Sequence, residues 1–444
     1  MSRHFNLPRP LFFSVPVQGW AVLLALFFAL PIVRAQDAIR PSLAGEASAE
    51  SRRQSLDHIP YNLLMGPVRF RFSATAGLEY NDNVNVAEVN EQDDFIFRPQ
   101  VNLNALWPVT QLNTLRLDIG LGYAFYLDHS EYNTNALLLS PNSQLAFDVF
   151  VGDFRINFHD RFSLEQDPIG EPGLSNVADY GRFQNTAGVS VLWDLNKAVV
   201  TFGYDHYTFI ATNDDFDYLD RNAEMLNASI SFAATSTTGI GLEGSYVFNR
   251  YDQDVLNDSN TYNIGAFVET QLTNYLRLRL AGGYQSIEFD GDTVVLGPFP
   301  DGFLPGGGNF LVFDDSESLN DYYVNLLISH RINSAITQSL SAGHESQLGV
   351  NSNYIQLNYV RHTATWNIIN RTLLTTEIFY EDAEDSGGII DEHLHRYGGA
   401  LSLGYQLTRH VTLGARYQYT RKDSDVPLRD YQQNRISIDG TYSF

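Results

Sequence analysis

Leu276-Arg277-Leu278-Arg279-Leu280-Ala281-Gly282-Gly283-Tyr284 is the stretch whose pattern settles the fold class. In an extended strand, Leu276, Leu278, Leu280 and Tyr284 share one face, while Arg277, Arg279 and Gln285 share the other. A helix would scatter these residues around its circumference, so only a period of two sorts them. The same alternation recurs on either side. Leu115, Leu117, Ile119, Leu121, Tyr123 and Phe125 alternate with Arg116, Asp118, Gly120, Gly122 and Ala124. Ile240, Leu242, Gly244, Tyr246 and Phe248 alternate with Gly241, Glu243, Ser245 and Asn249, and Val411, Leu413, Ala415, Tyr417 and Tyr419 with Thr412, Gly414, Arg416, Gln418 and Thr420.

The connections between these segments come in two sizes. Short turns sit near Pro108–Gln111, Gly152-Asp153, Asn196-Lys197, Thr235–Thr238, Asn274-Tyr275, Asn333-Ser334, Asn370-Arg371 and Arg409-His410. Longer, acidic connections alternate with them: Asn85–Asp93, Asp128–Asn133, Asp167–Tyr180, Asn213–Tyr218, Asp252–Ser259, Gly291–Ser318, Gly349–Asn353, Glu381–Asp391 and Lys422–Asp430. Short periplasmic turns alternating with longer extracellular loops define a transmembrane, up-and-down, antiparallel β-barrel. With both termini periplasmic the pattern predicts about 18 strands, an even number as this class requires. The apolar face of each strand then meets acyl chains, and closure pairs every backbone group without leaving an edge. Aromatic residues near strand ends (Tyr123, Phe125, Tyr204, Tyr207, Phe248, Tyr251, Tyr284, Phe289, Phe379, Tyr380 and Tyr419) are expected to form the interfacial girdles.

The ends of the chain agree with this reading. Arg3, His4 and Arg9 precede the apolar run Trp20–Leu30, closed by Pro31 and followed by Val33-Arg34-Ala35. This is the pattern of a secretory signal peptide spanning residues 1–35 and cleaved after Ala35, and the run is too short for a membrane helix. Residues 36–68 read as a periplasmic arm, either mostly disordered or tucking Tyr61 to Leu64 into the lumen as a small plug, and 69–444 as the barrel. The last ten residues, RISIDGTYSF, place Ile436, Ile438, Gly440, Tyr442 and Phe444 on one face with an aromatic terminus. That phase marks an assembly signal, carried by Ile438, Gly440, Tyr442 and Phe444, for the barrel-assembly machinery.

The chain holds 28 Lys and Arg against 52 Asp and Glu, a formal net charge of −24, and no cysteine. Such acidity argues against a nucleic-acid partner. The absence of cysteine excludes disulfides and thiolate metal sites.

The opening strand, Phe70-Arg71-Phe72-Ser73-Ala74-Thr75-Ala76-Gly77-Leu78-Glu79-Tyr80-Asn81-Asp82-Asn83-Val84, resembles the first strand of the outer-membrane family of putative β-barrel porins, second type. The likeness in motif rests on Glu79–Val84 and the C-terminal strand. Members are often encoded with exopolysaccharide or capsule genes, so the resemblance implies outer-membrane permeation or envelope polysaccharide export. It carries over no catalytic or ligand residues.

Inward-facing charges are the main candidates for function. The alternation directs Arg116, Arg155, Arg277, Arg279, Arg416 and Arg435 into the lumen beside Asp118, Asp205, Glu243, Glu377 and Asp439. Charged rings in a pore set its ion preference, and mixed signs predict a transverse field rather than strong selectivity. The loop Gly291–Ser318, with GPFPDGFLPGGG at 297–308, suits either a constriction folded into the barrel or a disordered external loop. Asn81, Asp82, Asn83 and Asn85 read as a strand-end turn, because a calcium loop needs more carboxylates at fixed spacing. The acidic clusters Asp93-Asp94, Asp214-Asp215-Asp217, Asp314-Asp315-Glu317 and Glu381-Asp382-Glu384-Asp385 could hold divalent cations shared with anionic lipopolysaccharide, but like-charge runs read first as solvated loop surface. His129 beside Asp128 and Ser130 makes no catalytic relay, since neighbours on a strand point to opposite faces. His393 and His395 share a strand face but lack a third metal ligand, so no metal or other cofactor is expected. The sequence therefore points to a non-enzymatic outer-membrane channel for hydrophilic solutes or exopolysaccharide. The partners it implies are lipid, lipopolysaccharide, the assembly machinery and polysaccharide-export components. The alternative is a non-conducting barrel whose acidic loops bind surface partners.

Overall fold

The computed structural model describes residues 61–134, 136–296 and 310–444. The leader at 1–35, residues 36–60 of the arm and the GPFPDGFLPGGG run lie outside the described residues.

Among the described residues, eighteen antiparallel strands close on themselves. They are β1 (Val68–Asn81), β2 (Asp94–Pro108), β3 (Thr114–Gly122, continued by Phe125–Tyr126), β4 (Leu138–Leu139 and Gln144–Val151), β5 (Phe154–Glu165) and β6 (Arg182–Asp194). Then follow β7 (Ala198–Ala211), β8 (Arg221–Ala233), β9 (Thr238–Tyr251), β10 (Ser259–Thr273), β11 (Leu276–Phe289) and β12 (Ser318–Arg331). The last six are β13 (Ile336–Leu348), β14 (Tyr354–Ile369), β15 (Thr372–Asp385), β16 (His393–Gln406), β17 (Val411–Ser424) and β18 (Tyr431–Ser443). Each pairs with its sequence neighbour, and β18 returns to β1 with Ser443 opposite Ser73 and Arg435 opposite Asn81. Among the described residues no helix is long and apolar enough to cross a membrane; the strands do the crossing.

The period of two sorts the faces as expected. Leu242, Ile264, Leu280, Ile378, Leu401 and Ile438 are exposed on the outside, where acyl chains lie. The outward aromatics form two belts. Tyr80 packs on Phe95 and Tyr246 on Tyr262 toward the loops, and Phe154 stacks on Trp193 near the short turns. Tyr207, Tyr251, Phe289 and Phe379 do not belong to these belts. They sit on the inner face, because Tyr204 and Tyr207, three residues apart, cannot share a side of one strand.

The short turns stay tight by adopting left-handed backbone where they reverse, as Gly152 does at φ 59° and Arg371 at φ 74°. Of the segment Tyr61 to Leu64, Leu63 and Leu64 form a short strand with Met65, paired to Val68–Phe70. It extends the wall beyond Phe444, whose N–H donates to the Phe72 carbonyl, and does not cross the lumen.

Strands of this length outrun the bilayer. About 9–11 tilted residues suffice to span it, while β1 has 14 and β14 has 16. The external ends therefore stand above the membrane as a palisade. Part of what read as acidic loop belongs to it: Glu381–Asp385 ends β15 and Lys422 lies in β17. Glu381, Asp385 and Lys422 face inward and are buried, so they are not solvated surface.

Candidate functional site

All ten lumen candidates fall on the inner face by strand phase, opposite the lipid-facing residues. Toward the periplasmic end they form wall-hugging pairs. Arg279 meets Glu243 at 2.7 Å, and Glu243 also accepts from the Tyr323 hydroxyl at 2.9 Å. Arg155 lies 3.3 Å from Asp148, which also accepts from Asn157 at 3.0 Å. The chain continues through His159, whose Nδ1 is 3.1 Å from Asn157 Oδ1 and whose Nε2 is 2.5 Å from Asp205 Oδ1. A Cβ on Gly188 would collide with that Asp205 carboxylate, so the glycine makes room for the pair. Asp118 accepts from Asn104 and Gln144 at 2.7 and 3.1 Å, and Arg116 is buried beside it. Arg416 and Glu377 stand 3.6 Å apart; Arg277 is exposed on the same inner face, and Asp439 is half-buried.

Arg435 is the exception, because it belongs to the external half and to a different device. It donates to Glu79 at 2.9 Å and to Asp167 at 2.5 Å. Asp167 lies not in the wall but in the loop 166–181 between β5 and β6. That loop crosses the external mouth and is fastened to the far side. The Arg396 guanidinium donates to the Ile169 carbonyl at 2.6 Å while also holding Glu381, which Arg361 shares. Asn351 donates to the Gly173 carbonyl at 3.0 Å, and Arg429 donates to the same oxygen. Ser175 donates to the Arg429 carbonyl and accepts from Lys422, whose ammonium pairs with Glu392 at 2.8 Å. Asn176 reaches the Leu428 carbonyl at 2.9 Å.

On the near side the same loop is held by apolar contact. Leu174 and Tyr180 join Phe216, Leu219, Leu256 and Val294, all from external connections, against the inner-face residues Tyr207, Phe209, Ala211, Ala223, Met225 and Val247. Among the described residues the largest buried apolar cluster thus lies inside the mouth. Arg182 closes the loop's base, donating to the Asp167 and Tyr180 carbonyls at 3.0 and 3.1 Å. Burial would raise the Asp167 carboxyl, but Arg435 and Arg98 outweigh it and hold the group below its ordinary value. Burial raises the Tyr180 hydroxyl well above the usual tyrosine range.

Among the described residues the loop that crosses the mouth is 166–181; the central GPFPDGFLPGGG run of 291–318, which suits an inward fold, lies outside them. The flanks of 291–318 contribute a two-stranded hairpin, Thr293–Leu296 with Leu311–Asp314, that brings Val294 into the apolar cluster. Asp315 from that connection ties down Asn353 and Ser386, so this acidic cluster too is partly structural.

Other candidates resolve in detail. Asn83 is fully buried and closes its turn on Ala87 and on the Gln432 carbonyl, consistent with a strand-end turn. His129 pairs with Asp94 at 3.1 Å rather than with Asp128, and Asp94 also accepts the backbone N–H groups of Leu127, Asp128 and His129. His393 and His395 face outward, away from the lumen, and gain Asp382 of β15 as a third donor. Ile438, Gly440, Tyr442 and Phe444 share the outward side of the last strand and its end.

A family model described as "Putative beta-barrel porin 2" matches residues 65–295. None of the curated proteins compared with the chain matches it. Among solved structures, OccK2 (OpdF) of Pseudomonas aeruginosa in complex with glucuronate aligns at 11% identity and a TM-score of 0.46, covering 86% of this chain and 100% of that one. The outer membrane protein OpdK of the same organism aligns at 12% and 0.45, covering 84% and 99%. OpdL of the same organism aligns at 12% and 0.44, covering 86% and 100%.

Proposed function

Because the chain belongs to the Putative beta-barrel porin 2 family, it is a porin-like channel of the outer membrane, and we propose that the 166–181 loop controls passage through its mouth. The observation that carries this reading is the division of labour along the lumen. The periplasmic half is lined by paired charges that leave a polar wall, and the external half is closed by a loop tied to the far side. Cargo on this reading is hydrophilic: small solutes or envelope exopolysaccharide, whose hydroxyl groups suit a wall of alternating donors and acceptors. Arg116, Asp118, Arg155, Glu243, Arg277, Arg279, Glu377, Arg416 and Asp439 are the residues proposed to line the path, with Arg435 as an anchor of the gate. Delivery would use the leader at 1–35 and recognition of the last strand by the assembly machinery. Lipopolysaccharide would surround the palisade.

The pinned loop also favours a second reading, a barrel that does not conduct. Planar-bilayer recording of the refolded chain separates them. A channel gives discrete conductance steps, and Arg277→Glu combined with Arg279→Glu shifts its reversal potential toward cation preference. Absence of steps in both the native chain and a loop-released Asp167→Asn variant would establish the non-conducting barrel.

A further inference from the structure

We propose that Asp382, His393 and His395 form a binding site for a divalent transition-metal ion on the outer wall, at the external rim of the barrel. His393 Nε2 lies 2.9 Å and His395 Nδ1 3.2 Å from the same Asp382 oxygen, and the three donor atoms all fall within 4.8 Å of one another. Ligands about 2.0–2.2 Å from a tetrahedral zinc ion stand roughly 3.3 Å apart, so the donors need only small ring rotations to enclose a metal.

The framework is rigid where metal sites need rigidity. Asp382 and His395 are direct partners across the β15–β16 ladder, and His393 is two residues along on the same face. Strand phase alone therefore holds three side chains on one patch. The surroundings are acidic. Glu384 stands opposite His393, Asp423 opposite His395, and Asp425 accepts the His393 backbone N–H at 2.9 Å. Asp423 is partly neutralised by Arg421 at 2.7 Å, and the Tyr380 hydroxyl lies 3.2 Å from His395 Nδ1.

Two imidazoles and one carboxylate favour zinc, copper or nickel over magnesium or calcium, which prefer all-oxygen shells. All three side chains are partly open to solvent. Three protein ligands leave a further position for water or an anionic oxygen. The site is separate from the lumen and independent of how the channel is gated.

Calorimetric titration of the full chain, refolded in detergent micelles, with zinc chloride under excess magnesium tests this. The expected result is one saturable site per chain in the micromolar range. His393→Asn plus His395→Asn should weaken it about tenfold or more, while the barrel keeps its heat-modifiable gel mobility. Copper(II) loaded at one equivalent should show an electron paramagnetic resonance pattern of two coordinated nitrogens, lost in the double variant. No saturable binding under magnesium, or native affinity in the double variant, would overturn the assignment.

Discussion

In the external half of the lumen, Arg435 and Glu79 pair with only 12% of each side chain exposed, and the same guanidinium fastens the half-buried Asp167 of the loop to the wall. In the periplasmic half, Arg416 and Glu377 stand 3.6 Å apart with 42% and 32% of their side chains exposed. The residue types are the same, and the difference is water. A buried pair has given up its hydration and depends on its partner, so removing one side costs about 3–5 kcal/mol. An exposed pair keeps most of its hydration and contributes roughly 0–1 kcal/mol. One belt is thus a fastening and the other a lining.

The largest expected effect comes from breaking the fastening. Arg435→Leu leaves Asp167 without its nearest cation and Glu79 with Arg98 alone at 3.2 Å. Loop 166–181 should come free, raising single-channel conductance several-fold and exposing the loop to added protease. A conductance trace identical to the native chain would show that the loop does not govern the mouth.

Acid sharpens the same contrast more gently. Asp167 is held below its ordinary value, so the folded state binds this proton more weakly than the unfolded chain does. Its contribution is complete above the ordinary carboxyl pKa of about 3.9 and is lost as pH falls through the lowered folded value. The mouth should therefore stay closed at pH 5 and open only below about pH 4, and Asp167→Asn should abolish that dependence. Opening at pH 6 would place the controlling group elsewhere.

The smallest effect belongs to the lining. Arg416→Ala should leave thermal stability within about 1 kcal/mol of native, yet move the reversal potential by a few millivolts. A large loss of stability would mean that this belt, too, holds the barrel together.

The division between legible and hidden follows the range of the physics. A period of two is local, so the inner position of Arg116, Arg155, Arg279 and Asp439 and the turn-to-turn strand count could be read from neighbouring residues alone. The fastening could not. Asp167 sits in a connection no more conspicuous than the others, and its partner is 268 residues away. The glycine-rich run at 297–308 draws the eye instead, because composition is visible in a sequence and register is not. Glu381 and Lys422 looked solvated for a similar reason: charge runs are usually so, and only the palisade above the bilayer gives them inward-facing partners. Asp382 was within reach, since counting back from His395 across the 386–392 connection identifies it as a cross-strand partner.

The distance between Asp167 and its anchors also imposes a chronology. Arg396, Lys422, Arg429 and Arg435 lie in or beside the last three strands, and the wall itself is completed only when Ser443–Arg435 zips onto Ser73–Asn81. Contacts across so long a span of chain carry the highest loop-closure entropy and form late. An assembly intermediate lacking its final strand is thus a trough with its mouth agape, and shutting the mouth is the molecule's own mark that insertion has finished.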